Sequence, residues 1–202
     1  MTYDAFLSRL RSLPPPVVLL EGTRALAPDV APRLVALAER LARALPHARF
    51  RTGNAPGSDT AFAEGVGRVD AARLLHVLPH AGHRARHRPQ DVPTAAVTEV
   101  TEGALGTLLT VTREASPQYG FSPGVLAETA HPRPRATARL LLRDTLKVVG
   151  TDGMPPADIG LFYVNPADPL GGGTGHTMRV CHARGVPVLT QDVWFGWDEA
   201  RA

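Results

Sequence analysis

Cysteine and lysine are almost missing from the 202-residue sequence, which has one of each, Cys181 and Lys147. A lone cysteine excludes an intrachain disulfide and a cysteine cage around zinc. A lone lysine without a G-K-[S/T] motif excludes a P-loop ATPase. Apolar runs stay far below the ~20 residues that a membrane-spanning helix needs. The N-terminal segment also lacks the features of a secretory signal, so we expect a cytoplasmic protein without membrane contact.

Aromatic residues and net charge are also scarce. Aromatic side chains make up 5% of the chain, and 22 basic against 19 acidic residues leave a net charge of +3. A charge this small does not by itself indicate a nucleic-acid partner. The hydrophobic fraction of 44% and charged fraction of 20% are typical of a globular protein. The length predicts a single domain over 1–202, with a core at about 17–192.

Short apolar runs alternate with helical patterns along the chain. Such alternation is typical of an α/β fold with a mainly parallel sheet between two helical layers. We therefore predict a Rossmann-like three-layer α/β/α sandwich. Segment 79–133 has mixed signals and is predicted to be an insertion or a helical region. The predicted strands are 17–20, 48–52, 73–78, 159–164 and 186–189, and the predicted helices are 4–12, 29–45, 60–66, 135–149 and 174–184.

Two glycine-rich loops, TGNAPGSD at 52–59 and GGGTGHT at 171–177, each join a predicted strand to a predicted helix. Glycine permits close approach of a ligand, and the first turn of a helix offers unpaired N–H groups and a positive dipole end. Together these features favour a phosphate or carboxylate site. The candidate ligand-binding residues are Gly53, Gly57, Ser58 and Asp59 in the first loop and Gly172, Gly173, Thr174, Gly175, His176 and Thr177 in the second.

A third candidate segment is Gly22-Thr23-Arg24, directly after the first predicted strand. Rossmann-like sheets place their first ligand loop at this position. An exposed turn carrying a surface arginine is the alternative interpretation of the same residues.

The first loop and its flank, TGNAPGSDTAFAEG, resemble the "GGAxGxD" loop of the SLOG superfamily of Rossmann-like proteins. That superfamily includes DNA-processing protein A, Lonely Guy-type hydrolases and YpsA-like proteins. The segment from Asp158 through the second loop to Leu189 resembles the superfamily's later strand, glycine-rich loop, helix and final strand. RDTLKVVG, starting at Arg143, resembles the helix before that strand. Asn54 replaces a glycine of the first loop, and Arg179 lies near the place of the Lonely Guy glutamate.

The resemblance implies a protein that binds a nucleotide or another small phosphorylated ligand, with Arg24 and Arg143 supplying positive charge. It also implies a homo-oligomer. Hydrolysis of a nucleotide N-glycosidic bond is the implied chemistry if the protein is an enzyme, and Asp59 or Glu64 would then supply the carboxylate. Two alternatives stay open: a single-stranded DNA-binding protein related to the recombination mediator, and a ligand sensor without turnover. No cofactor is predicted beyond a nucleotide-type ligand.

Three histidines, His80, His83 and His87, are interleaved with arginines in the segment 80–88. We interpret this segment as a solvated basic loop rather than a metal site, and predict no metal. The loop's arginines are also candidates for closing over a bound phosphate. The aromatic segment 194–197 is predicted to pack at the sheet edge or at a subunit contact, and Cys181 is predicted to be an inert thiol on a packed helix face.

Overall fold

The computed structural model describes residues 1–122, 124–127 and 129–199. Its sheet contains six parallel strands in the order β4-β3-β2-β1-β5-β6. The strands are β1 (Val17–Gly22), β2 (Arg49–Thr52), β3 (Leu74–Leu78), β4 (Thr94–Ala96), β5 (Ile159–Tyr163) and β6 (Val188–Thr190). The helices are α1 (Tyr3–Arg11), α2 (Ala31–Ala44), α3 (Ser58–Asp70), α4 (Glu102–Ala115), α5 (Pro132–Val149), α6 (Gly172–Ala183), α7 (Gln191–Trp194) and α8 (Gly196–Glu199).

Helices cover both faces of this sheet, which confirms the predicted Rossmann-like three-layer fold. Val18 and Leu20 of β1 point into a core shared with α1, α2 and α3. Val17 and Leu19 point to the opposite face, where α4, α5 and α6 pack. This alternation follows from the period of two residues in a strand, and it places Glu21 on the α5 and α6 side. No described helix is long and apolar enough to cross a membrane.

Several helices begin at other residues than predicted, including the two helices that follow the glycine-rich loops. Both glycine-rich loops enter their helices two residues earlier than predicted, at Ser58 and Gly172. Helix α2 begins at Ala31, two residues later than predicted. Val30 before it makes no side-chain cap, and Pro32 stands in its first turn, where a missing N–H costs nothing. Segment 79–133 contains β4 and α4, joined by single turns of 3₁₀-helix.

The aromatic segment 194–197 packs inward. Trp194 and Trp197 are both buried, and Trp194 donates a hydrogen bond from Nε1 to the Phe162 carbonyl on β5 over 3.2 Å. Trp197 lies against Phe6 of α1, with ring centroids 4.9 Å apart. These rings therefore hold the C-terminal turns to the sheet and to α1.

Candidate functional site

The strand order changes direction at β1, whose neighbours are β2 on one side and β5 on the other. In open α/β sheets ligands bind at this switch point, outside the carboxyl ends of the strands. The loops after β1, β2 and β5 surround a cavity of about 670 Å³ at this place. We call it the switch-point cleft. It has four parts: a helix N-terminus, a basic rim, a charged floor and an apolar wall.

The N-terminus of α6 forms one side of the switch-point cleft. The backbone of Gly171, Gly172, Gly173 and Thr174 lines the cavity. The first N–H groups of a helix have no partner within the helix, and they carry its positive dipole end. This side of the cleft therefore presents N–H donors, which suit an anion. The carboxylates of Asp168 and Asp144 lie beside Gly171 and Gly173 and reduce the positive potential there.

Two arginines form the basic rim. Arg24 follows β1, is exposed, and makes no ion pair with the part of the chain that the structure describes. Arg84 has a left-handed backbone with φ of 48°, and its Nη1 atom is buried without a hydrogen-bond partner. An unsatisfied guanidinium nitrogen is costly, and an anionic ligand would satisfy it. His83 stands beside them; burial and the charge of Arg143 lower its pKa to about 4, so the ring is neutral at pH 7.

Five charged side chains form the floor: Glu21, Asp59, Arg143, Asp144 and Lys147. All five line the cleft and all are buried. Lys147 contacts the carboxylates of both Glu21 and Asp144, the latter at 2.8 Å, and Arg143 Nε lies 2.9 Å from Asp144 Oδ1. Four of the five side chains, from β1 and α5, therefore form one chain of ion pairs, and Asp59 of α3 adds its charge beside Arg143.

The floor has two cations and three carboxylates, and their pKa values reflect that imbalance. Burial lowers the pKa of Lys147 less than Asp144 and Glu21 raise it. Burial likewise raises the pKa of Asp144, but Arg143 and Lys147 together outweigh burial and hold it below its usual range. Glu21 is left with one shared cation. Burial raises the pKa of Glu21 to about 7; Lys147 opposes this rise, and the charges of Asp144 and Asp59 add to it.

One further wall of the cleft is apolar. Tyr119, Leu140 and Leu141 line it, and Tyr119 and Leu140 are among the few large apolar side chains that the surface exposes. Tyr119 stacks on Phe121, with ring centroids 5.6 Å apart and planes inclined by 18°. An exposed ring held flat by a second ring is a suitable platform for a planar ligand group.

The first glycine-rich loop is braced from within. Asp59 Oδ2 accepts hydrogen bonds from the N–H groups of Gly53 (2.8 Å) and Ala55 (3.3 Å), and Arg143 donates to the Gly53 carbonyl (2.6 Å). The N–H and hydroxyl of Ser58 both donate to the Thr23 carbonyl. Hence Asp59 reaches the cleft, whereas Gly53, Gly57 and Ser58 lie behind its surface and shape the loop.

Three predicted residues of the second loop lie away from the cleft. Thr177 donates to the Gly173 carbonyl within α6, and Gly175 packs against Leu170. His176 is fully buried, with its ring nitrogens hydrogen-bonded to Ser116 (2.7 Å) and Thr145 (3.0 Å). Burial, opposed by Asp144, lowers the pKa of His176 to about 4. This neutral histidine ties α6 to α5 and to the end of α4, three residues before Tyr119.

Of the predicted residues outside the glycine-rich loops, Gly22, Thr23, Arg24 and Arg143 line the cleft. Glu64 does not: it is exposed on α3 and pairs with Arg68 at 2.7 Å. Among described residues no group of three or more His, Cys, Asp and Glu side chains is arranged to hold a metal ion. His80 and His83 pack edge to face, with ring centroids 5.6 Å apart.

The sequence reasoning missed Glu21, Asp144 and Lys147 as site residues, and it missed the apolar wall. Two features of the sequence indicated Glu21 and Lys147. Glu21 is the one charged residue in the run Val17–Gly22, and Lys147 is the one lysine in the chain. Lys147 also follows Asp144 at helical i,i+3 spacing, but such a pair is ordinarily a solvated one. Only the ion pair between Lys147 and Glu21 of β1 shows that this lysine faces inward and is buried.

Comparison with known proteins gives a likeness in fold. The structure is similar to that of DNA processing protein A from Helicobacter pylori, which binds single-stranded DNA, with a TM-score of 0.51 and 15% sequence identity. The similarity covers 91% of this chain and 67% of the other. It supports the predicted resemblance at the level of the Rossmann-like fold. No protein-family model and no curated protein sequence matches the chain.

Proposed function

We propose that the switch-point cleft binds a nucleotide-type ligand, with the phosphate at the N-terminus of α6 and the base against the apolar wall. The observation that carries this proposal is the convergence of three features on one cavity. They are the N–H groups of Gly172–Thr174, the unpartnered Nη1 of Arg84, and the exposed, stacked ring of Tyr119. The first two fit a phosphate and the third fits a base.

The size and charge of the cleft favour one nucleotide unit. A volume of about 670 Å³ lies within the usual range of small-molecule sites. The carboxylates of Glu21 and Asp59 at the floor suit the hydroxyl donors of a ribose and oppose a second phosphate. The neighbouring groove between α2 and α3 shares Arg84, but its other arginine, Arg68, is paired with Glu39 and Glu64, so a phosphate backbone gains little there.

The second candidate function is binding of a single DNA strand. The Helicobacter pylori protein of similar fold binds single-stranded DNA. In addition, Arg24 and Arg84 face the same cleft, and Arg86 is exposed in the turn that follows Arg84. A strand would place one nucleotide in the cleft and its next phosphate near Arg86, and salt would weaken the complex steeply.

N-glycosidic hydrolysis would need a carboxylate inside the cleft. Of the two predicted candidates, Asp59 meets this requirement and Glu64, which is exposed and paired with Arg68, does not. We therefore propose Asp59 as the residue to test first for turnover. A ligand sensor would use the same contacts without turnover.

The proposal is tested by calorimetric titration with nucleoside monophosphates, cyclic nucleotides and ADP-ribose-type ligands, using a Thr174→Glu variant. Thr174 stands in the first turn of α6 and lines the cleft. A glutamate in the first turn interacts favourably with the positive end of the helix dipole, so the fold is retained, but its negative charge repels a phosphate. We expect binding in the wild type and at least a tenfold loss, about 1.4 kcal/mol, in the variant. Equal affinity in both would contradict the proposal.

The matched pair Arg84→Ala and Arg86→Ala separates the two candidate functions. Arg84 lines the cleft and Arg86 does not. If the ligand is a mononucleotide, only Arg84→Ala weakens binding. If it is a DNA strand, both variants weaken binding of a short oligothymidylate, and affinity rises with strand length and falls with salt. Arg9→Ala, an exposed change on α1, controls for net charge.

A further inference from the structure

The charges on the floor of the switch-point cleft do not balance. Arg143 and Lys147 bring two positive charges, whereas Glu21, Asp59 and Asp144 bring three negative charges when all are ionised. A buried ionised group without a compensating charge costs several kcal/mol, so buried clusters tend towards neutrality. The floor would become neutral only by taking up one proton.

Glu21 is the member of the floor that takes this proton. Asp144 contacts both Arg143 and Lys147, which stabilise it as a carboxylate. Asp59 Oδ2 accepts two backbone N–H bonds. Among the described cations Glu21 makes an ion pair only with Lys147, and Lys147 is shared with Asp144. Glu21 is therefore the least compensated carboxylate of the three.

The described titratable groups that interact with Glu21 lie on α3, α5 and α6. Helix α5 supplies Arg143, Asp144 and Lys147, and α3 supplies Asp59. Helix α6 supplies Cys181, a buried thiol that is neutral because burial raises its pKa to about 12. The N-terminus of α6 adds roughly half a positive charge near Asp144 and leaves the floor short of neutral.

We propose that the cleft takes up one proton at Glu21 when it binds an anionic ligand. This inference rests on the proposed function. A phosphate at the N-terminus of α6 places new negative charge close to a floor that already has an excess of it. Protonation of Glu21 removes that repulsion, and the neutral carboxyl then donates a hydrogen bond into the cleft. Ligand binding and proton uptake thus stabilise each other.

The experiment is calorimetric titration with a cyclic 3′,5′-nucleotide, whose phosphodiester does not titrate near neutral pH. Binding is measured at about pH 7.5 in buffers of different ionisation enthalpy, which gives the number of protons taken up. Because free Glu21, with a pKa of about 7, is already about one quarter protonated at pH 7.5, we expect uptake of between about half and about three quarters of a proton in the wild type. Affinity should fall by up to about tenfold per pH unit above the titration midpoint of Glu21.

Glu21→Gln removes the titrating group at constant size, so buffer-dependent heat should vanish and affinity should lose its pH dependence. Glu102→Gln, an exposed change on α4, should behave as the wild type. If Glu21→Gln does not fold, the wild type is titrated instead, with and without the nucleotide, and its carboxyl groups are followed by ¹³C NMR. One glutamate should titrate near neutral pH, and its pKa should rise when the nucleotide binds. Binding without buffer-dependent heat would overturn the inference and leave the proposed function standing, whereas no binding would overturn both.

Discussion

Glu21 makes a residue-scale prediction about stability that needs no ligand. Its pKa is raised in the folded state to about 7, above the value of about 4.5 that an unfolded chain shows. Between these two pH values the folded state holds more protons, so the contribution of Glu21 is fully present below about pH 4.5 and is lost as pH rises to 7. Glu21→Gln should remove this decline, which is at most about 1.4 kcal/mol per pH unit.

The measurement is the free energy of unfolding by denaturant, taken for wild type and variant at several pH values between 4.5 and 8. The difference between the two proteins should change steadily up to about pH 7 and then level off. A constant difference across this range would contradict the raised pKa of Glu21 and weaken the account of the floor.

Gly57 makes a second residue-scale prediction, because its backbone has φ of +81° and a Cβ there would lie 2.6 Å from the Arg24 carbonyl oxygen. Gly57→Ala should destabilise the protein by about 1–2 kcal/mol or more. Gly67→Ala is the matched control within α3, since it is exposed and a Cβ there meets nothing within 4 Å. That change should stabilise by about 0.5–1 kcal/mol. Thermal unfolding of both variants checks whether one change lowers the stability and the other raises it.

At the scale of elements, α5 is fastened to the sheet by one buried arginine on β2. Arg51 donates to the carbonyls of Lys147, near the C-terminus of α5, and of Pro155. Arg51→Met leaves both acceptors without this partner, so we expect a loss of about 2–3 kcal/mol in the free energy of unfolding. Arg49→Met, two residues earlier and exposed, should change it by less than about 0.5 kcal/mol. Comparable losses in the two variants would contradict this account of α5.

The helices also show what sequence patterns reveal at this scale. Helical periodicity located α1, α2 and α5 to within a few residues, because an amphipathic face must repeat at a fixed spacing. It missed the first turns of α3 and α6, because Gly57 and Gly171, which stand before them, make no side-chain cap. Periodicity also could not show that Asp144 and Lys147 face inward, since a charged i,i+3 pair on a helix usually faces water.

At the scale of the whole molecule, the alternation of strands and helices was sufficient to predict the fold. Parallel strands need crossover helices, and right-handed connections leave few arrangements of such a chain. The site was only partly predictable. The glycine-rich loops indicated the right edge of the sheet, but the floor depends on β1, α3 and α5 meeting in space. Local sequence does not encode the distance between Glu21 and Lys147. The expected homo-oligomer stays a prediction.

Acid stability gives a prediction for the molecule as a whole. Burial is the main reason that the pKa values of His76, His83 and His176 are each lowered to about 4. The unfolded chain binds these protons below about pH 6.5, so stability should fall as pH drops from 6.5 towards 4. The effect is clearest in Glu21→Gln, since Glu21 has the opposite dependence. Urea unfolding across this range should show proton uptake on unfolding of up to about three protons; stability independent of pH would contradict the buried, neutral state of these rings.

The most direct test of the central claim is a backbone amide NMR titration of the wild-type protein with a nucleoside 5′-monophosphate. If the cleft binds the ligand as proposed, the amides of Gly171–Thr174 at the start of α6 should shift first and furthest. Those of Gly22, Arg24 and Arg84 should follow, while residues that line only the groove between α2 and α3, such as Ala36 and Glu64, stay unchanged. Shifts centred on that groove, or shifts that leave Gly171–Thr174 unaffected, would contradict the account.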